Sequence, residues 1–199
     1  MDLRRTLLLF SFIFTGSLAI AQPKDRWTIQ DGGAIRWSIN DNIPHDDHLE
    51  MSGQQLSVVL RYGVDAQKRF HLNRSLVFPM LRMHPNKTQN NLKQRFDVNI
   101  PALVTVDDQT LLNEEVRDVT FNGIMRVESS FGYIYRRKEL KDAVQLTRVL
   151  YPSTNAAHYC EEYTFKNSSP NQITLRVPEW NVTYTTPEEA GVYGAYCIE

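Results

Sequence analysis

Hydrophobic and polar positions alternate with a period of two through much of the chain. In "QLSVVLRYGVD" (residues 55–65), Leu56, Val58, Leu60, Tyr62 and Val64 fall on one face. Ser57, Arg61 and Gly63 fall on the other, with Val59 the exception. Successive side chains of a strand point to opposite faces, so this stretch predicts a half-buried β-strand. "NQITLRVP" (171–178) repeats the pattern, with Ile173, Leu175 and Val177 inward and Thr174 and Arg176 outward. "HYCEEYTFKN" (158–167) and "DAVQLTRVLYP" (142–152) read the same way, less cleanly. "SLVFPML" (75–81) is a more continuous apolar run, which predicts a strand covered on both faces, with Pro79 marking an edge or a bulge.

Turn-forming residues punctuate these runs. "DGG" (31–33), "HPNKTQNN" (84–91), "FNG" (121–123), "KNSSPNQ" (166–172) and "TTPEEAG" (185–191) each join strand-like segments. No convincing amphipathic helix follows the N-terminal leader; the best candidate, "DQTLLNEEVRD" (108–118), is short. Short strands at regular spacing with tight turns predict an all-β fold, a large antiparallel two-sheet β-sandwich of the super-sandwich type. "GVYGAYCIE" (191–199) reads as a strand in which the chain stops, so the expectation is a fragment of a longer protein, truncated at its C-terminal end.

The N-terminus changes the picture of where this domain works. Arg4 and Arg5 precede an apolar run from Leu7 to Ile13, and Ala19-Ile20-Ala21 offers a small-x-small cleavage site. That is a signal peptide over 1–21, too short in its apolar core to span a bilayer. It predicts export to the periplasm or the extracellular space, with no membrane attachment after cleavage. The sandwich domain is then 22–199, long enough for one substantial core. The formal net charge is −1, which gives no reason to expect nucleic acid as a partner. The one basic cluster, "YRRKELK" (135–141), contains an acid and reads as a solvated edge or turn. Cys160 and Cys197 are the only cysteines. In an exported protein they are a candidate disulfide, or else two small buried side chains; spacing alone leaves both open.

The densest candidate chemistry is "IPHDDHLEMSG" (43–53). His45, Asp46, Asp47, His48 and Glu50 are the residue types of zinc and iron ligation. A strand would put 48 and 50 on one face and 45 and 47 on the other, and neither HExxH nor a His-x-His pair is present. The favoured reading is a polar loop, "NIPHDDH", feeding a strand that begins at "LEMSG". No Gly-x-Ser-x-Gly and no phosphate-cradling glycine loop occurs, so neither catalytic residues nor a cofactor or metal is assigned. Trp37 and Trp180 are candidates for stacking on a sugar face, beside the simpler reading of core or edge residues.

Three ordered segments carry a family likeness: "WTIQDGGAIRWSI" (27–39), "HDDHLEMSGQQLSVVLRYGVD" (45–65) and "LVFPMLRMHPNKT" (76–88). Together they resemble the N-terminal β-sandwich region of secreted bacterial six-hairpin glycosidase-like proteins, the α-L-rhamnosidase-like group. The resemblance runs from Trp27 to the end and is one of ordered segments rather than of a short diagnostic motif. It implies a non-catalytic sandwich that supports or shapes the substrate cleft of a downstream (α/α)6 helical catalytic domain of the same parent protein. Carbohydrate is then the implied ligand, and His45, Asp46, Asp47, His48 and Glu50 are implied contacts to sugar or to the neighbouring domain. Two other readings compete. A free-standing carbohydrate-binding module would need an exposed aromatic platform, and a small exported metalloenzyme would need the histidine–acid cluster to converge.

Overall fold

The computed structural model describes residues 26–82, 91–185 and 195–198. The leader, all but the last residue of the expected turn "HPNKTQNN" (84–91) and most of "TTPEEAG" lie outside the described residues. Within them the chain is built almost entirely of antiparallel strands. They are β1 (Thr28–Ile29), β2 (Ile35–Ser38), β3 (His45–Ser52), β4 (Ser57–Val64), β5 (Phe70–Arg82) and β6 (Asn91–Phe96). There follow β7 (Thr105–Val106), β8 (Gln109–Thr110), β9 (Leu112–Phe121), β10 (Met125–Tyr135) and β11 (Lys138–Pro152). The last are β12 (Tyr159–Asn167), β13 (Leu175–Arg176), β14 (Val182–Thr185) and β15 (Ala195–Ile198). A six-stranded sheet, ordered β1-β2-β9-β10-β11-β12, and a four-stranded sheet, ordered β3-β4-β5-β6, form the two layers of the sandwich.

The alternation in β4 shows why the layers hold together. Leu56, Val58, Leu60, Tyr62 and Val64 are all 3% exposed or less. Val58, Leu60, Tyr62 and Val64 meet Val116 and Val119 of β9, Met125 and Val127 of β10, and Leu150 of β11 in one apolar cluster that spans both sheets. Full burial stabilises each such side chain by about 1.5–3 kcal/mol. A second cluster gathers Phe131, Tyr133, Val144 and Leu146 of the large sheet with Val106, and Leu175 and Phe165 pack on it.

Turn chemistry follows the residues. Gly32 and Gly33 (φ 85° and 84°) close the β1–β2 hairpin, and Gly123 (φ 93°) lies in the β9–β10 turn. Arg136 and Arg137 of the basic cluster both take left-handed conformations (φ 48° and 66°) between Tyr135 and its cross-strand partner Lys138. Two successive positive φ values make a type I′ hairpin turn, so this cluster is the expected solvated turn. The register shift of β5 against β6 spans Pro79, as a strand-interior proline requires.

The all-β expectation extends to 108–118, the best of the weak helix candidates: it forms β8 and the first part of β9, with Glu114 and Val116 inward and Asn113, Glu115 and Arg117 outward. Two expectations are corrected. The polar stretch 45–48 is not a loop: it is the first half of β3, paired residue by residue from His45↔Val64 to Ser52↔Ser57. The strand at 171–178 shrinks to Leu175–Arg176, whose only ladder among the described residues is to Thr105–Val106. Val177 faces outward at 62% exposure, because no neighbour continues beyond that pair.

Candidate functional site

The predicted cluster divides between the two faces of β3. His45 and Asp47 point towards the interior, and Asp46, His48 and Glu50 point to solvent. On the inner side, His45 Nε2 lies 3.5 Å from Asp47 Oδ2, and its ring meets the Trp37 ring edge-on at 5.0 Å. On the outer side, Asp46 reaches across β4 to His71 of β5, with Oδ1 2.5 Å from Nε2. Gly63 makes this span possible. It lies between the two residues in register, and a Cβ there would collide with both side chains. The five residues therefore do not converge on one point, and among the described residues no group of three or more His, Cys, Asp or Glu is arranged to hold a metal ion.

The aromatic candidates are occupied by other rings. Trp37 is 4% exposed and packs against Trp27 at 6.0 Å, with the Arg26 guanidinium 5.2 Å from its centroid. Its faces are closed to a ligand. Trp180 is half-buried and packs on Phe96 at 5.6 Å. Cys160 is half-buried and free on β12. Cys197 belongs to β15, and its side chain lies outside the described residues.

The interior holds polar groups that the sequence pattern did not flag. Arg74 of β5 reaches from the small sheet to Glu161 of β12 in the large one, with Nε to Oε1 and, at 2.8 Å, Nη2 to Oε2. Its Nη1 donates to the Val98 carbonyl at 3.0 Å, and Tyr163 donates to Glu161 Oε2 at 2.6 Å. Burial opposes the charge on Arg74. The hydrogen bonds and attraction of Glu161 more than offset it, and the pKa lies above the ordinary guanidinium value. Burial, and secondarily the Glu161 carboxylate, push the Tyr163 phenol up as well.

Arg148 of β11 forms the second polar centre. It occupies an inward position between Leu146 and Leu150, one from each apolar cluster. Its Nη1 lies 2.6 Å from Glu114 Oε1 and donates to Ser129 Oγ at 3.0 Å, while its guanidinium covers Phe70 at 5.2 Å.

Next to Glu114 the large sheet is bulged on both sides of β10. Ser130 and Gly132 pair with Glu115 and Leu112, leaving one extra residue in β9. Phe131 and Tyr133 pair with Val144 and Leu140, leaving two extra residues in β11. Asn113 and Asp142, at these bulges, take left-handed conformations (φ 49° and 52°). Gly132 lies at the centre, where a Cβ would come 2.9 Å from the Leu140 carbonyl oxygen. Bulges of this kind re-aim side chains and concentrate beside functional sites.

A cleft of 560 Å³ opens over these bulges, between the β4–β5 turn and strands β9 to β11. It falls in the usual size range of small-ligand sites. A second cleft of 330 Å³ shares Arg69, Asn113 and Glu114 with it. The walls are tied down. The Val116 amide donates to the Lys68 carbonyl at 2.8 Å, and Asp65 Oδ1 accepts the Gln67 and Arg69 amides at 2.9 Å. Asn113 Nδ2 donates to Glu139 Oε1 at 2.6 Å, and Ser130 Oγ donates to Asp142 Oδ1 at 2.5 Å. No sequence motif points here; "LLNEEVRD" lies within a short, unconvincing helix candidate. No family model, curated protein or solved structure matches this chain.

Proposed function

We propose that this chain is a non-catalytic β-sandwich domain of an exported glycoside hydrolase, which supports or shapes the substrate cleft of a helical (α/α)6 catalytic domain. The observation that carries this reading is an apolar overhang at the β1 edge of the large sheet. Residues paired across neighbouring strands share a face. The row Ile29↔Ile35, Ile35↔Phe121 and Phe121↔Met125 therefore lies on one face. It runs from Met125, fully buried, to Ile29, 82% exposed. The six-stranded sheet is wider than the four-stranded one, and its inner face continues past the cover at this end. An uncovered continuation of a core face is the surface that a neighbouring domain buries.

The use of interior carboxylates agrees with a supporting role. Glu161 and Glu114 are each paired with a buried arginine, a structural assignment rather than one that frees an acid for proton transfer.

The test uses the purified chain. It is expected to leave a panel of p-nitrophenyl glycosides uncleaved and to bind an apolar dye, with Ile29→Asp removing most of the dye signal and leaving the far-UV spectrum unchanged. Glycoside cleavage by the chain alone, or dye binding indifferent to Ile29→Asp, would overturn the reading.

A further inference from the structure

We infer that the 560 Å³ cleft over the β9–β10–β11 bulges is a binding site for a neutral, polyhydroxylated ligand, a short saccharide. The inference concerns this cleft alone and holds whether or not the β1 overhang carries a neighbour.

The argument starts from the lining. Carboxylates (Glu114, Glu115, Glu139, Asp142) and cations (Lys68, Arg69, Lys141) line the cleft together with the amides of Asn42, Gln67 and Asn113. An ionised carboxylate only accepts hydrogen bonds, and an ammonium or guanidinium only donates them. A ligand that satisfies both must present donors and acceptors side by side along its length. A hydroxyl does both at one atom, and a chain of hydroxyls does so repeatedly. A cationic ligand would meet Lys68, Arg69 and Lys141, and an anionic one would meet the four carboxylates. A lining of both signs thus disfavours a ligand carrying one charge sign and suits a neutral polyol, whose hydroxyls donate and accept along its whole length.

Glu114 anchors the wall. It is 8% exposed and lines both clefts. Its Oε1 is shielded from solvent and held 2.6 Å from Arg148 Nη1, so this side chain fixes the wall rather than meeting a ligand. The walls are also pre-formed. The Val116–Lys68 hydrogen bond and the Asp65-bound turn hold one side, and Asn113 and Asp142, in left-handed conformations, hold the other. A site ordered before binding loses less entropy when its ligand arrives. Because no aromatic ring lines the cleft, recognition works through hydroxyl positions rather than through stacking on the sugar face.

The experiment is a two-dimensional amide NMR titration of the purified chain. The probes are β-1,4-linked hexamers of glucose, xylose, mannose and galactose, with spermidine and citrate as charged controls. At least one hexamer is expected to shift amides confined to Gln67–Arg69, Asn113–Glu115 and Glu139–Asp142. Asn113→Gly, which keeps the left-handed backbone, and Glu139→Gln, on a partly exposed side chain, are each expected to weaken that binding about tenfold. Ile29→Asp is expected to leave it unchanged, which separates this outcome from the docking reading. Shifts at the cleft from spermidine or citrate but from none of the hexamers, hexamer shifts elsewhere on the sandwich, or no hexamer shifts up to solubility would each overturn the inference.

Discussion

The interior around β4 and the interior at the β12 edge and the bulges are built differently. Around β4 the core is apolar and in register: Val58, Leu60, Tyr62 and Val64 face Val119, Met125, Val127 and Leu150. Towards β12 and the bulges it is stitched by charge: Arg74 to Glu161 between sheets, and Arg148 to Glu114 within one. Apolar burial is non-directional and tolerates small shifts, while a buried ion pair is costly unless its geometry is held. The apolar half stabilises the sandwich. The charged half fixes how the two sheets align and where the bulged strands open a cleft.

The largest effect should come from breaking the stitch on one side only. Arg74→Ala leaves Glu161 buried without its cation, and chemical denaturation should show a loss of about 3–5 kcal/mol. Replacing both partners together, with Arg74→Met and Glu161→Leu, should recover most of that loss, because two apolar groups carry no desolvation penalty. In the apolar half, Leu60→Ala should cost about 2–5 kcal/mol with no such rescue from any single second change. If the double replacement is as damaging as Arg74→Ala, the two halves do not differ in the way described.

The smallest effect is electrostatic and lies on the outer face of the large sheet. Asp118 accepts hydrogen bonds from Arg36 Nε and Ser38 Oγ, both at 2.7 Å, and the Arg36 bond holds its carboxyl below the ordinary 3.8. The Ser130 hydroxyl, then Arg117, does the same for Asp142. A depressed carboxyl pKa contributes stability above its unfolded value and loses it as pH falls through the folded value. Stability should therefore decline below about pH 4. Because Arg36 and Asp142 are substantially exposed, Asp118→Asn should reduce stability at neutral pH by about 1 kcal/mol or less. A titration of stability against pH that is flat from neutral to pH 3 would contradict this assignment.

How much the sequence disclosed follows the same division. β4 was legible because each inward position is apolar and its partners are generic. β9 was not, because inward Glu114 finds its partner on β11 and Asn113 interrupts the alternation at a bulge, so no clean period of two marked it as a strand. β3 was half legible: Leu49 and Met51 alternate cleanly, while His45 and Asp47 occupy inward positions at the open end of the sheet, where Trp37 and not an aliphatic core receives them. The cleft was invisible for a related reason. It is made by residues from the β4–β5 turn, β9 and β11 that only the bulged register brings together.

The most direct test of this division is native-state amide hydrogen exchange, resolved by residue. Amides of Val58, Leu60 and Tyr62 should exchange only through global unfolding, while those of Asn113, Gly132 and Asp142 should exchange through local openings of clearly lower free energy. Equal protection at the bulges and in β4 would contradict the account.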